Sequence, residues 1–465
     1  MGRSVRGPGG VRVPCEPGAP RPVHPGPRPV PPPPAKADAM DPVTDSLNEV
    51  HRRLRGLRDG KVADYIPQLA TADPDDFGIA LVSMAGQTYR AGRTDRPFSI
   101  QSVSKPFVYA LALGDLGPDE VLRRVGVEPS GNPFNAISLE PGTGRPANPM
   151  INAGAIATTA MVRADGPAER FRRILDCLSA FAGRVLDVDE EVYASEAATG
   201  DRNRALAYLM RSAGSLDADP EETVDTYFRQ CSVRVTAVDL AVMAATLADG
   251  GRNPVTGVQV VPEPHVVRTL SVMATCGMYD GAGAWLLNVG LPAKSGVSGG
   301  LIAAGPARFG VAVHSPPLDG AGNSVRAVAA LRMMSERFGL HVMHGPGLRA
   351  TTVTGARRLE HGDRAIGVVT AQGILEFTEF EALVQAVREV TPPVPGWMVL
   401  DLTAVTGVLP GPAAGLASVL GDLAAQGHRT AVAAQETFVA ATEGHPRTWE
   451  VFRTREEAVA WCRNG

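Results

Sequence analysis

The sequence predicts an α+β fold, an antiparallel sheet with a separate helical subdomain, followed by a second, smaller α/β domain. Three observations carry this. The chain has 465 residues, enough for two to four folding units at about 100–200 residues each. Between Phe77 and Phe338 the patterns run in the order strands, helices, strands, helix, which a sheet interrupted by a helical insertion satisfies most simply. From Thr351 to Gly465 strand-like and helix-like runs alternate instead, the pattern of an α/β layer.

Residues 1–39 hold 12 of the 39 prolines, including Pro31–Pro34, and almost no large apolar side chain, so they are expected to form a disordered tail ahead of Met40. Leu47, Val50, Leu54 and Leu57 recur at helical spacing. Phe77–Val82 reads as a strand, Gly86 as a turn, and Thr88–Arg90 as the returning strand. Phe107–Leu113 is apolar and helix-permissive, and Pro106 is tolerable in a first turn, so Ser102 is expected to open a buried helix. Residues 115–285 are mainly helical in pattern, with Ala168–Ala180, Arg202–Ala213 and Thr236–Leu247 the clearest segments. Gly299–Ala304 and Phe309–Val313 are strand-like, and a helix is expected from Ser324 to Phe338. In the last region the expected strands are Ala365–Val369, Met398–Leu402 and Arg429–Ala434. The expected helices there are Phe377–Val390, Pro412–Ala425 and Arg447–Trp461. The expected organisation is a tail at 1–39, a first folded domain at 40–343, a linker at 344–354 and a second domain at 355–465.

Charge and cysteine usage exclude several function classes. With 45 Lys+Arg against 49 Asp+Glu, the net charge of -4 gives no global attraction to nucleic acid or an anionic membrane. No apolar run approaches the roughly 20 residues of a membrane span, and no basic start leads into an apolar signal core. Cys15, Cys177, Cys231, Cys276 and Cys462 are odd in number and widely spaced, which suits reduced thiols in a soluble, cytoplasmic protein. The nine histidines form no spaced cluster, so neither a metal nor another cofactor is expected.

The lysines say more. Of the 45 basic residues only four are lysine, at Lys36, Lys61, Lys105 and Lys294. Where arginine is the default, a retained lysine suggests a place where a guanidinium cannot substitute, because lysine loses its proton on burial and arginine does not. Ser102 and Lys105 lie three apart, one helical turn, in an apolar stretch. A serine hydroxyl needs a base within hydrogen-bond reach to attack at neutral pH, and a desolvated lysine supplies one. The second scarce lysine stands in Lys294-Ser295-Gly296, and Ser-x-x-Lys followed by Lys-Ser-Gly is the pair of elements found in penicillin-recognising serine enzymes.

Longer motifs are more specific. They are Lys61-Val62-Ala63-Asp64-Tyr65-Ile66-Pro67-Gln68-Leu69, Phe98-Ser99-Ile100-Gln101-Ser102 through Lys105, Asn148-Pro149-Met150-Ile151-Asn152-Ala153-Gly154-Ala155-Ile156, Glu196 with Asp201-Arg202-Asn203, Tyr227-Phe228-Arg229-Gln230-Cys231-Ser232, and Thr275-Cys276-Gly277-Met278-Tyr279-Asp280. In these, residues 45–340 resemble the serine-dependent glutaminases, a family with the β-lactamase/transpeptidase-like fold. The resemblance implies hydrolysis of L-glutamine to L-glutamate and ammonia through an acyl-enzyme. It implies Ser102 as nucleophile, Lys105 as base, Tyr279 as the group that moves the proton to ammonia, and Val297 as a backbone oxyanion donor beside Ser102. Tyr65, Gln101, Asn152, Glu196, Asn203 and Tyr227 would surround the substrate. Free glutamine brings an α-ammonium that calls for a carboxylate such as Glu196 and an α-carboxylate that calls for neutral donors. Taken singly, Tyr65 and Tyr227 read as core aromatics, Asn152 and Asn203 as helix caps, Glu196 as a surface acid, and Cys231 and Cys276 as inert buried thiols.

The C-terminal region looks like a STAS domain, the module of anti-sigma-factor antagonists, through Val399-Leu400-Asp401-Leu402-Thr403-Ala404-Val405-Thr406. The loop that carries a phosphorylatable hydroxyl in that family reads Gly407-Val408-Leu409-Pro410-Gly411-Pro412-Ala413-Ala414 here, without one. The partners expected are L-glutamine, a homo-oligomer of two or four copies from the family resemblance, and a protein bound by the C-terminal domain. The alternative functions are a penicillin-recognising serine hydrolase and a non-catalytic glutamine-sensing regulator.

Overall fold

Five strands build the first sheet. The computed structural model describes residues 41–131, 139–344, 351–361 and 364–464; the Pro-rich tail lies outside them. Gly78–Ser83 (β1) and Thr88–Gly92 (β2) form the hairpin, and a two-residue ribbon joins Phe98–Ser99 (β3) to Arg234–Val235 (β4). Ala293–Ser295 (β5), Gly300–Gly305 (β6) and Phe309–His314 (β7) return at the other end of the domain. The order β2-β1-β7-β6-β5 is antiparallel throughout, as the sequence predicts. Because successive side chains point to opposite faces, Ala80, Val82, Ile302, Ala304 and Ala312 enter one apolar core while Ile79, Leu81, Leu301, Val311 and Val313 enter another. On the first face lies the helix Ala237–Ala248, so close that a side chain at Gly310 would strike the Ala245 backbone nitrogen at 1.9 Å. The other face is covered by the helices Pro42–Leu54 and Val325–Phe338.

Between β2 and β5 the chain forms the helical subdomain, from Lys105–Leu116 to Ala282–Asn288. Its central helices, Lys105–Leu116, Asn152–Met161, Pro167–Ala182 and Pro220–Cys231, pack around Phe107, Ile156, Ile174, Phe181 and Phe228, all buried.

The C-terminal region is a mixed five-stranded sheet, β12-β11-β10-β9-β8. Val353–His361 (β8) runs antiparallel to Arg364–Leu375 (β9); Trp397–Val408 (β10), Arg429–Ala434 (β11) and Glu450–Phe452 (β12) continue in parallel. Alternation again divides the side chains: Met398, Leu400 and Leu402 face the helices Phe377–Val390 and Pro410–Ala425, while Trp397 and Val399 face the helix Arg455–Asn464. The expected helix Arg447–Trp461 splits. Glu450–Phe452 pairs with Ala431–Ala433, and Thr454 restarts the chain as a helix by accepting the Glu457 N–H at 3.2 Å while Glu457 accepts the Thr454 N–H at 3.3 Å. β8 opens at Val353, inside the segment read as linker, and is an edge strand whose mostly exposed side chains include Arg357 and Arg358, so it lacks an apolar signal.

These two sheets share a core. Phe377 packs edge-on to Phe309 of the first sheet at 5.7 Å and to Phe338 at 5.9 Å. Arg308, buried in the β6–β7 turn, reaches Glu376 at 3.3 Å, and the Tyr89 hydroxyl donates to Glu381 at 3.2 Å.

Candidate active site

Ser102 sits where sheet and helical subdomain meet. It does not begin an α-helix. Gln101–Ser104 is a 3₁₀ turn, and the α-helix starts at Lys105. Pro106 accounts for this, since it has no N–H to donate to the Ser102 carbonyl four residues back; the Lys105 N–H takes that carbonyl instead, three residues on. Gln101 precedes the serine with φ +51° and Tyr279, across the site, has φ +55°. Left-handed backbone at such residues costs on the order of 1–3 kcal/mol each and persists only where the surroundings enforce it. One enforcing neighbour is Gly296 at the end of β5, where an added Cβ would lie 3.0 Å from the Val103 side chain and 3.2 Å from the Ile100 carbonyl. This contact presses Gly296 against the turn that carries Ser102.

Lys105 is wholly buried, and its Nζ donates to Asn152 Oδ1 at 2.7 Å and to the Met150 carbonyl at 3.3 Å. Burial lowers its pKa to about 8, against smaller upward pulls from Cys231 and Glu196. One acceptor, Met150, lies in the Asn148–Ile151 loop and the other, Asn152, opens the helix that follows; in the loop the buried Asn148 carboxamide accepts the N–H groups of Met150 and Ile151 at 3.0 and 3.2 Å and donates to the Glu128 carbonyl at 2.8 Å. Asn152 in turn donates to Asn203 Oδ1 at 3.0 Å and accepts from the Tyr227 hydroxyl at 3.4 Å. Glu196 is buried in the helix Glu190–Thr199, and burial raises its carboxyl to about 7, opposed by a hydrogen bond from Gln101 and by the Lys105 charge. It is therefore no surface acid. Tyr279 is buried, hydrogen-bonded with Ser102, and donates to the Ser295 carbonyl at 2.9 Å; burial pushes its phenol upward and the Ser102 contact opposes this.

A cavity of about 100 Å³ opens over Ser102, lined by Tyr65, Gln101, Asn152, Glu196, Asn203 and Tyr227 among others. Tyr65 stands half exposed at its mouth, whereas Tyr227 is buried yet still reaches the wall. Lys105 lies beneath the cavity. Tyr279 and Val297 lie outside its lining, Tyr279 behind Ser102 and Val297 packed with Ala63, Ile66 and Leu69. Sequence reasoning missed Ile66, Thr199, Gly200 and Arg202, which complete the wall. Ile66 and Arg202 stand inside motifs already singled out, so adjacency was an available signal. Cys231 also lines the wall, but burial drives its thiol pKa far up, which leaves it inert. Cys276 is likewise buried and raised by burial, so it gains no thiolate character either. Among the described residues no group of His, Cys, Asp and Glu is arranged to hold a metal ion.

A buried serine, a lysine held near neutrality and a small polar cavity on an α+β frame define a serine hydrolase that acts on a small polar substrate. Comparison narrows the class: a family model described as Glutaminase matches residues 60–343. A glutaminase from Trichormus variabilis is 50% identical over 301 residues, 65% of this chain and 90% of that protein. Glutaminase 2 of Bradyrhizobium diazoefficiens is 43% identical over 449 residues, 91% of this chain and 71% of that one, so its likeness extends into the C-terminal region. Among solved structures, "Mglu" matches with a TM-score of 0.65 at 44% identity over 84% of this chain and 98% of its own. The probable glutaminase from Bacillus subtilis complexed with 6-diazo-5-oxo-L-norleucine matches with a TM-score of 0.60 at 31% identity over 64% of this chain and 96% of its own. The chain belongs to the glutaminase family, and its reaction is the hydrolysis of L-glutamine to L-glutamate and ammonia.

Proposed function

We propose that Ser102 is the nucleophile of this hydrolysis and Lys105 its base. The observation that carries the reading is a wholly buried lysine three residues after the serine, its amine held by the Met150 carbonyl and by Asn152 in the cavity wall, with its pKa lowered to about 8 so that a sizeable fraction is neutral near pH 7–8. The Ser102 proton passes to Lys105 Nζ as Oγ bonds the side-chain amide carbon, and the backbone N–H groups of Ser102 and Val297 receive the oxyanion. The C–N bond then breaks as the proton held by Lys105 reaches the leaving nitrogen through Tyr279, and ammonia leaves; water attacks the ester with Lys105 again taking the proton, and the bond from carbon to Ser102 Oγ breaks as that proton returns to Oγ, releasing glutamate. Glu196 receives the α-ammonium, whose charge offsets the burial that raises the carboxyl. Asn152, Asn203, Tyr65, Gln101 and Tyr227 receive the α-carboxylate and orient the chain.

For Thr351–Gly465 the proposal is a STAS-like docking or assembly module, with no part in the chemistry. Its mixed sheet with helices on both faces supports this, and the helix start at Pro410 leaves no hydroxyl from Gly407 to Ala414 for a phosphate switch. Copies of the chain would associate as dimers or tetramers. The unpaired state of Cys177, Cys231, Cys276 and Cys462 supports a reducing, cytoplasmic setting.

The nucleophile is tested with 6-diazo-5-oxo-L-norleucine, a glutamine analogue whose diazoketone alkylates an activated nucleophile with loss of nitrogen. Intact mass should rise by one adduct and peptide mapping should place it on Ser102. Labelling of Cys231 or of any other residue instead would refute the assignment.

A further inference from the structure

The second scarce lysine lies outside the wall of the cavity over Ser102. Lys294 lies in β5, fully buried, and is not among the residues lining the cavity. Its Nζ donates to the Gly277 carbonyl at 3.0 Å and to the Ser295 carbonyl at 2.7 Å, and lies 3.8 Å from the centre of the Tyr279 ring. The same Ser295 carbonyl accepts the Tyr279 hydroxyl at 2.9 Å. One amine therefore holds the turn two residues before the tyrosine, the face of its ring and the acceptor of its phenol. That turn is pressed onto β5, since a Cβ on Gly277 would stand 1.8 Å from the Ala293 carbonyl. Tyr279 itself sits in left-handed backbone at φ +55°, a conformation that its neighbours must impose.

We propose that Lys294 is a positioning residue for the hydrolysis, fixing the Tyr279 phenol against the Ser102 hydroxyl. This rests on the reading of Tyr279 as the group that moves the proton to ammonia. Either protonation state of the amine has an N–H for each of the two carbonyls, so the contacts do not depend on its charge. Burial and repulsion from Lys105 both favour the neutral form. A guanidinium would not fit the narrow space between two carbonyls and a ring face, consistent with lysine here in a chain that otherwise uses arginine.

The test is a double-mutant cycle of Lys294→Met and Tyr279→Phe, with kcat and KM for L-glutamine measured on the full chain and folding checked by thermal midpoint. Methionine keeps the volume of the buried stem while removing the donors. Misplacement of a reacting group by about 1 Å can cost about 100-fold, so Lys294→Met should lower kcat by about 10–100-fold with KM changed less than about threefold. In the Tyr279→Phe background the same change should cost less than about threefold, because the group it positions is gone. Losses that multiply, or a Lys294→Met enzyme with parental kcat, would overturn the role of Lys294 alone. Parental turnover by Tyr279→Phe would instead remove the reading on which it rests, and the proposal with it. Should Lys294→Met not fold, Lys294→Leu in the same cycle reads the same coupling.

Discussion

Lys105, which meets the cavity wall through Asn152, and Glu196, which is part of that wall, have opposite charge requirements. To accept the Ser102 proton Lys105 must be neutral, a fraction that grows as pH rises through about 8. To bind an α-ammonium Glu196 must be charged, a fraction that grows as pH rises through about 7. Both signs agree, so kcat/KM for L-glutamine is expected to climb from pH 6 to 9, since this parameter reports the free enzyme. Glu196→Gln should raise KM about 100-fold, the scale of a lost buried charge pair, and leave a single ionisation governed by Lys105. A pH profile that is flat in the parent, or unchanged by Glu196→Gln, would contradict these roles. Ser102 and Lys105 were legible in the sequence because their spacing and the rarity of lysine are local facts. The contacts of Lys294 were not, since the direction of Nζ depends on how the Gly277 turn packs against β5.

At the scale of elements, the site depends on loops that small residues allow to approach. Gly154 in the helix Asn152–Met161 is the tightest such point near the base, since a Cβ there would lie 1.9 Å from the Asn148 carbonyl. Gly154→Ala must push the Asn148–Ile151 loop outward, and with it the Met150 carbonyl and Asn152 that hold Lys105. A fall in kcat/KM of about 100-fold is expected from a shift of about 1 Å, together with a lower thermal midpoint; parental kinetics would show that the loop does not position the base. Long periodic elements were readable: Phe377–Val390 and Arg429–Ala434 have the bounds their apolar spacing predicts. The 3₁₀ turn at Ser102 follows from a hydrogen bond that proline cannot make, and β8 from pairing with β9 rather than from its own pattern. Residues 115–285 showed helical periodicity but not how Glu196, Asn203 and Tyr227 converge, because that depends on the packing of three separate helices.

For the whole molecule, the decisive feature is a core continuous from β7 to the C-terminal sheet. Phe377 is buried between Phe309 and Phe338, and truncating such a side chain costs about 3–5 kcal/mol. Phe377→Ala should therefore lower the thermal midpoint by several degrees while kcat stays near parental, since the cavity residues lie between Tyr65 and Cys231. A large loss of kcat in a folded Phe377→Ala protein would mean that the C-terminal region shapes the site. Sequence alternation revealed the second α/β layer, but its attachment through Phe377, Glu376 and Glu381 was hidden, because those residues belong to the pattern of their own helix. The proposed chemistry depends above all on Lys105 as the base for Ser102. Its most direct test is ammonia release from L-glutamine by the purified full chain and by Lys105→Arg, which keeps the charge but cannot accept the proton. Loss of a member of a coupled nucleophile and base removes on the order of 10^4–10^6 in kcat, and that loss, with the parental fold retained, is the expected result; turnover by Lys105→Arg within about tenfold of the parent would contradict it.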